Sequence, residues 1–229
     1  MKADIQKLSE ELSDKNPIKR LKAIKELAKA ANEVNDKERI VKLLEPLAQD
    51  KAPFVRWNLA IYLGKIGDKS AISALDKLVT DEHANVRMRA ALALSLTGDE
   101  ECVDVLKKLE NDGYNIANSF PVRFFVAMAL GKIGSESGLS ILERYADDTD
   151  PLVRWQTAVA VGDIGSPKGL LVLKRLSEDE VPFTRAHVAI ALAQIGDKSG
   201  IEILEKLTKD SMPRVAQIAK ESLETLQQT

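Results

Sequence analysis

The chain has 229 residues, of which 45% are apolar, enough for a substantial core. A single cysteine, Cys102, and two histidines, His83 and His187, exclude an intramolecular disulfide framework and any multi-cysteine zinc site. The 33 basic and 35 acidic side chains leave a formal charge of −2, which argues against a surface built throughout to neutralise phosphates.

One pattern recurs along the chain and predicts pairs of helices. The first pair is expected over 4–34, its second helix opening at Pro17-Ile18-Lys19-Arg20. The next, 37–66, carries the fullest copy: Pro53-Phe54-Val55-Arg56 at the start and Gly64-Lys65-Ile66-Gly67 at the end. Pair 70–98 keeps Val86-Arg87 and a weaker end, Ser95-Leu96-Thr97-Gly98. Pair 100–134 keeps Val122-Arg123 and Gly131-Lys132-Ile133-Gly134. Pair 137–165 has Pro151-Leu152-Val153-Arg154 and Gly162-Asp163-Ile164-Gly165, and pair 168–196 has Pro182-Phe183-Thr184-Arg185 and Ala193-Gln194-Ile195-Gly196. The last, 199–227, keeps only Met212-Pro213-Arg214. Proline suits a helix start, where its missing N–H costs nothing, and the final glycine suits a left-handed helix end. Short amphipathic runs such as Ala71–Leu78 and Gly200–Leu207 supply the partner helices. Such a pair cannot bury its apolar face alone. The expectation is therefore an all-α fold, one domain over 1–229, stacked as a right-handed α-solenoid of about seven antiparallel helix pairs.

Counted from each arginine, offsets −1, +3, +4, +7 and +10 share a face and read as core, for example Val55, Leu59, Ala60, Leu63 and Ile66. Small residues at +4 and +8 allow close helix approach. In the last helix the +7 and +10 positions become Glu221 and Glu224, as a polar cap requires. An aspartate stands six residues before most arginines: Asp14 and Arg20, Asp50 and Arg56, Asp81 and Arg87, Asp148 and Arg154, Asp179 and Arg185. These predict a structural ladder in which each aspartate meets the arginine of its own or the next repeat. Before Arg123 the rung position holds Ala117.

The Asp-x5-Arg spacing, the Pro-x-Val-Arg start and the Gly-x-Ile-Gly end resemble HEAT repeats over almost the whole chain, most of all the phycobilisome-lyase-like subtype. The resemblance implies that the arginine-bearing helices line an inner, concave surface. It also implies kinship with proteins that help attach linear tetrapyrroles (bilins) to antenna-protein cysteines, often as paired subunits.

Offsets +2, +6 and +9 are expected to face the groove. They offer Asn58, Tyr62, Lys65, Arg89, Phe125, Lys132, Gln156 and His187 as partner contacts, with alanines at +6 forming a shallow floor. Trp57, Phe124 and Trp155 at +1 border core and groove, and Cys102 reads as a small core filler. The long step from Arg87 to Arg123 carries an insertion, Asn111–Ser119, in which Tyr114, Asn115 and Ile116 are further candidates.

The sequence lacks a phosphate-binding glycine loop and any recognisable nucleophile–base or metal constellation. The expected function is a non-catalytic protein-binding scaffold with another protein as partner and no metal or cofactor. A bilin lyase-like subunit or bilin chaperone is the alternative, with bilin as its ligand. A nucleic-acid binder is a further alternative, disfavoured because Glu26 and Asp163 interrupt the basic stripe. No stretch reaches the ~18–20 apolar residues of a membrane helix, and Met1–Glu11 lacks an apolar signal region, so a cytoplasmic location is expected.

Overall fold

Proline and glycine punctuate the helices where the sequence places them. The computed structural model describes residues 4–34, 36–114 and 120–228, and among these there are helices and no strand. By internal contacts the chain divides into two compact units between Tyr114 and Asn115. The first holds α1 (Ile5–Glu11), α2 (Pro17–Val34), α3 (Lys37–Leu44), α4 (Pro53–Ile66), α5 (Ile72–Leu78), α6 (Ala84–Thr97) and α7 (Cys102–Lys107). The second holds α8 (Val122–Ile133), α9 (Leu139–Tyr145), α10 (Pro151–Ile164), α11 (Leu170–Leu176), α12 (Pro182–Ile195), α13 (Ile201–Leu207) and α14 (Pro213–Gln228). Each unit is a stack of helical hairpins, the α-solenoid arrangement. The long arginine-bearing helices pack side by side, α2 on α4 on α6 in one unit and α8 on α10 on α12 on α14 in the other.

The core columns are as expected: Val55, Leu59, Ala60, Leu63 and Ile66 are buried, as are Val122, Val126, Ala127 and Leu130. Glu221 and Glu224 are exposed on α14. Gly67, Gly134, Gly165 and Gly196 end their helices at φ between 59° and 72°, a region costly for any residue with a Cβ. A glycine precedes α9, α11 and α13 and lies against the +7 side chain of a long helix: a Cβ on Gly138 would come 3.1 Å from Leu130, and one on Gly200 3.0 Å from Leu192. Cys102 fills this same column, buried and hydrogen-bonded to Thr97.

One expectation fails in an informative way. The +6 alanines do not floor a groove; Ala93, Ala129, Ala160 and Ala191 are buried. They sit where adjacent long helices cross. A Cβ on Gly131 would lie 2.8 Å from the Ala160 backbone, and one on Gly64 would lie 3.0 Å from that of Ala93. Glycine at +8 and alanine at +6 of the following repeat thus set the crossing distance. A long helix flanked by neighbours on both sides buries much more than the single stripe of a helix on a globular surface.

The aspartate–arginine ladder forms, but it runs opposite to the expectation: the carboxylate meets neither its own nor the next repeat's arginine. Each carboxylate takes both nitrogens of the preceding repeat's arginine. Arg Nε donates to Asp Oδ2 at 2.5 to 2.6 Å in the pairs Arg20–Asp50, Arg56–Asp81, Arg87–Asp112, Arg123–Asp148, Arg154–Asp179 and Arg185–Asp210. Nη2 donates to the other carboxylate oxygen, the bidentate geometry that suits a planar guanidinium. Arg20, Arg56, Arg87, Arg154 and Arg185 also donate from Nη1 to the backbone carbonyl of the aspartate in their own turn, at 2.7 to 2.9 Å. The aspartates in turn accept the N–H two residues on, from Ala52, His83, Tyr114, Asp150, Val181 and Met212.

Arg87 corrects the sequence reading. The rung absent at Ala117 is supplied by Asp112, eleven residues before Arg123 instead of six. Asp112 keeps the same turn geometry, with Tyr114 N–H donating to it. The extra residues therefore fall after the turn that carries the rung. Asp210, four residues before Arg214, is a second rung the six-residue rule does not find.

Candidate functional site

The outward face of each long helix follows from the crossing geometry. With +6 buried, the outward columns are −2, +2, +5 and +9, which lie within about 60° of one another at 100° per residue, though Pro121 and Gln156 within them are buried. On α12 these are Phe183, His187, Ile190 and Gln194; on α10, Leu152, Gln156, Val159 and Asp163; on α8, Pro121, Phe125, Met128 and Lys132. On α4 they are Phe54, Asn58, Ile61 and Lys65, and on α6, Asn85, Arg89, Leu92 and Leu96. The +5 column, which +6 displaced in the sequence reading, is apolar throughout these five helices.

In the second unit the face is aromatic. Phe120 and Phe124 have centroids 4.5 Å apart, and Phe125 meets Phe124 edge-on at 5.4 Å. Phe124 continues to Trp155 at 5.8 Å, Trp155 to Phe183 at 5.0 Å, and both Trp155 and Phe183 to His187 at 5.6 and 4.4 Å. Six rings from α8, α10, α12 and Phe120, two residues before α8, thus form one contiguous cluster, in geometries that aromatic quadrupoles favour. Phe183 is 54% exposed and Phe120 46%, so the cluster is open to solvent. His187 is not the ordinary surface side chain its position suggests: it is half-buried, with Nδ1 2.8 Å from the Phe183 carbonyl. Phe125 is half-buried by the rings beside it. Gln156 departs from expectation, being only 6% exposed, and is no free contact. Lys132 is exposed beyond the aromatic end. Next to Phe183, an apolar cleft of about 310 Å³ runs between α12 and α14, lined by His187, Ile190, Met212, Val215 and Ile218.

The residue pattern matches HEAT repeats over 5–84, 58–117, 75–161, 116–182 and 142–224, which together span nearly the whole chain. The chain belongs to the HEAT-repeat family. Among solved structures, the complex of CpcE and CpcF of phycocyanin lyase from Nostoc sp. PCC7120 is similar at a TM-score of 0.58 and 18% identity, covering 99% of this chain and 96% of that one. A designed armadillo repeat protein in complex with the peptide (KR)4 is similar at a TM-score of 0.54 and 16% identity, covering 98% and 100%. At these identities the likeness is one of fold. A search of the curated proteins gave no match.

In the first unit these HEAT repeats present a different face. Lys65 Nζ lies 5.2 Å from the Tyr62 ring centroid, and the Arg89 guanidinium lies 5.7 Å from that of Trp57. Asn58 turns its amide back to the Phe54 carbonyl at 2.7 Å. Tyr62 is half-buried at +6, beside the exposed stripe and not in its middle. Tyr114 is exposed, its ring 5.9 Å from the Arg87 guanidinium. The other two loop candidates, Asn115 and Ile116, lie outside the described residues. Burial raises the Cys102 thiol above its ordinary pKa and so disfavours the reactive thiolate. Among the described residues no group of three His, Cys, Asp or Glu side chains could hold a metal ion. No helix there is long and apolar enough to cross a membrane.

Sequence reasoning named Phe125 and His187 but missed Phe120, Phe183 and Ile190. The signal was present. Phe183, His187 and Ile190 are spaced i, i+4, i+7, the mark of one helix face, and that stripe is separate from the core stripe on the same helix.

Proposed function

We propose that this HEAT-repeat chain is a protein-binding scaffold whose docking surface in the second unit is the aromatic face of α8, α10 and α12. The observation that carries the reading is the unbroken six-ring cluster with Phe120 and Phe183 open to solvent. Exposed apolar patches of contiguous rings are where interface energy concentrates, because rigid aromatics bury much area at little entropic cost. The long helices hold the rings in register through their ladder, so the surface is organised before a partner arrives.

The test is a paired substitution. Phe125→Ala with Phe183→Ala should leave the helical circular dichroism intact. It should weaken binding of a partner identified by co-purification and mass spectrometry by ~1–2 kcal/mol or more per anchor, read by titration calorimetry. Unchanged affinity would remove this face as the site. The bilin-handling alternative rests on the repeat motif. Its test is a visible absorbance shift on mixing the protein with a linear tetrapyrrole, and a shift abolished by the same paired substitution would move the conclusion to a pigment ligand on this face.

A further inference from the structure

Taking +5 in place of +6 as the outward column changes the charge of the first unit's face. On α2 the outward positions −2, +2, +5 and +9 are Ile18, Lys22, Lys25 and Lys29, all exposed. The equivalent positions on α4 and α6 add Lys65 and Arg89. Glu26, which seemed to break the basic stripe, sits at +6, half-buried, and is tied to Lys29 at 3.0 Å. Glu33, one turn beyond Lys29, is the other carboxylate at this face. Residues 1–114 carry 20 basic and 20 acidic side chains, so the unit as a whole is neutral while five cations share this face. Between them runs an apolar strip: Phe54, Ile61, Leu92 and Leu96, the last 52% exposed.

We propose that this face binds an acidic, amphipathic segment of a partner protein, carboxylates against Lys22, Lys25, Lys29, Lys65 and Arg89 and apolar side chains against the strip. Charge complementarity selects an acidic occupant. The apolar strip between the cations favours a peptide over a nucleic acid, whose contacts are mainly to phosphates along its backbone. Arg89 and Lys65 already rest near the Trp57 and Tyr62 rings, so their charged ends are partly positioned. The surface is in the other unit from the aromatic face and stands or falls without it.

The probe is a fluorescein-labelled peptide of glutamate with leucine at every fourth position, titrated by anisotropy against the full chain. Binding is expected, weakening as ionic strength rises. The charge-reversed variant K22E/K25E/K29E should lose about tenfold or more in affinity. Its thermal midpoint should fall only slightly, because all three side chains are exposed and the lost Lys29–Glu26 pair and the new like-charge neighbours along α2 are weak surface effects. Phe125→Ala with Phe183→Ala should bind the probe as the native chain does. Absence of binding, an affinity indifferent to the triple substitution, or tighter retention of a DNA duplex at the same ionic strength would each overturn the proposal.

Discussion

Asp81 shows what a single residue does here. It accepts two hydrogen bonds from Arg56 and one from the His83 N–H, and both ion-pair side chains are about nine-tenths buried. An exposed pair would contribute little. A buried one is costly to break, because the surviving charge is left without its partner. Arg56→Ala is expected to cost about 3 kcal/mol in urea denaturation, whereas Lys168→Ala, at the exposed pair with Glu136, should leave the midpoint unchanged. Equal effects would show that the rungs are no more than surface decoration. The ladder's existence was legible from a six-residue spacing. Its direction was not, because spacing alone cannot tell a carboxylate reaching back one repeat from one closing on its own helix. Gln156 was misjudged for a related reason: its angle on an isolated helix is outward, but α8 and α12 flank α10 and cover it.

At the scale of the element, the helices were readable almost to the residue, since proline, arginine and glycine mark both ends. What was not readable is how many sides of each helix are covered. The alanine columns at +4 and +6 look alike in sequence, yet +4 fills the core and +6 touches the glycine of the preceding helix. Placing +6 outward therefore misassigned the groove floor and hid the apolar +5 column. The long repeat step is a second case. Asp112 keeps its rung and its turn, so five residues, 115–119, account for the departure from the six-residue spacing. Deleting 115–119 restores that spacing, with Phe120-Pro121-Val122 leading into Arg123 where other copies have Pro-Phe-Val or Pro-Leu-Val. The deleted chain is expected to fold with a stability within about 1 kcal/mol of the native one, since closing a shorter loop changes little entropy. A large loss in the thermal melt would mean that these residues make contacts a regular turn does not replace.

At the scale of the whole molecule, three of the rungs, Asp50, Asp81 and Asp210, together give a dependence on pH. The carboxyls of Asp50 and Asp81 are desolvated by burial, which alone would raise them. Their arginine partners, Arg20 and Arg56, and the turn N–H groups overcome this and hold both below their ordinary value of 3.8. Asp210 is lowered chiefly by its hydrogen bond to Arg185. A carboxyl lowered in the folded state binds fewer protons there than in the unfolded chain. Its stabilisation is thus complete above the unfolded value and lost as pH falls through the folded ones. The contribution of these three rungs to thermal stability should be level from neutrality down to about pH 5 and decline below about pH 4. In Arg56→Ala that acid decline should be shallower, as scanning calorimetry across pH would show. An equally steep decline in the variant would assign the acid sensitivity to other groups.

Arg20, Arg56, Arg87, Arg154 and Arg185 each span two turns, holding a carbonyl in the one behind and a carboxylate in the one ahead. Because these turns offer the same pair of acceptors, a gene that gained or lost one whole hairpin among them would leave no arginine stranded. The joint is indifferent to which copy stands on either side. Length is then free to drift by duplication and excision while the outward columns diverge, which is how one unit can carry lysines and the other rings on the same framework.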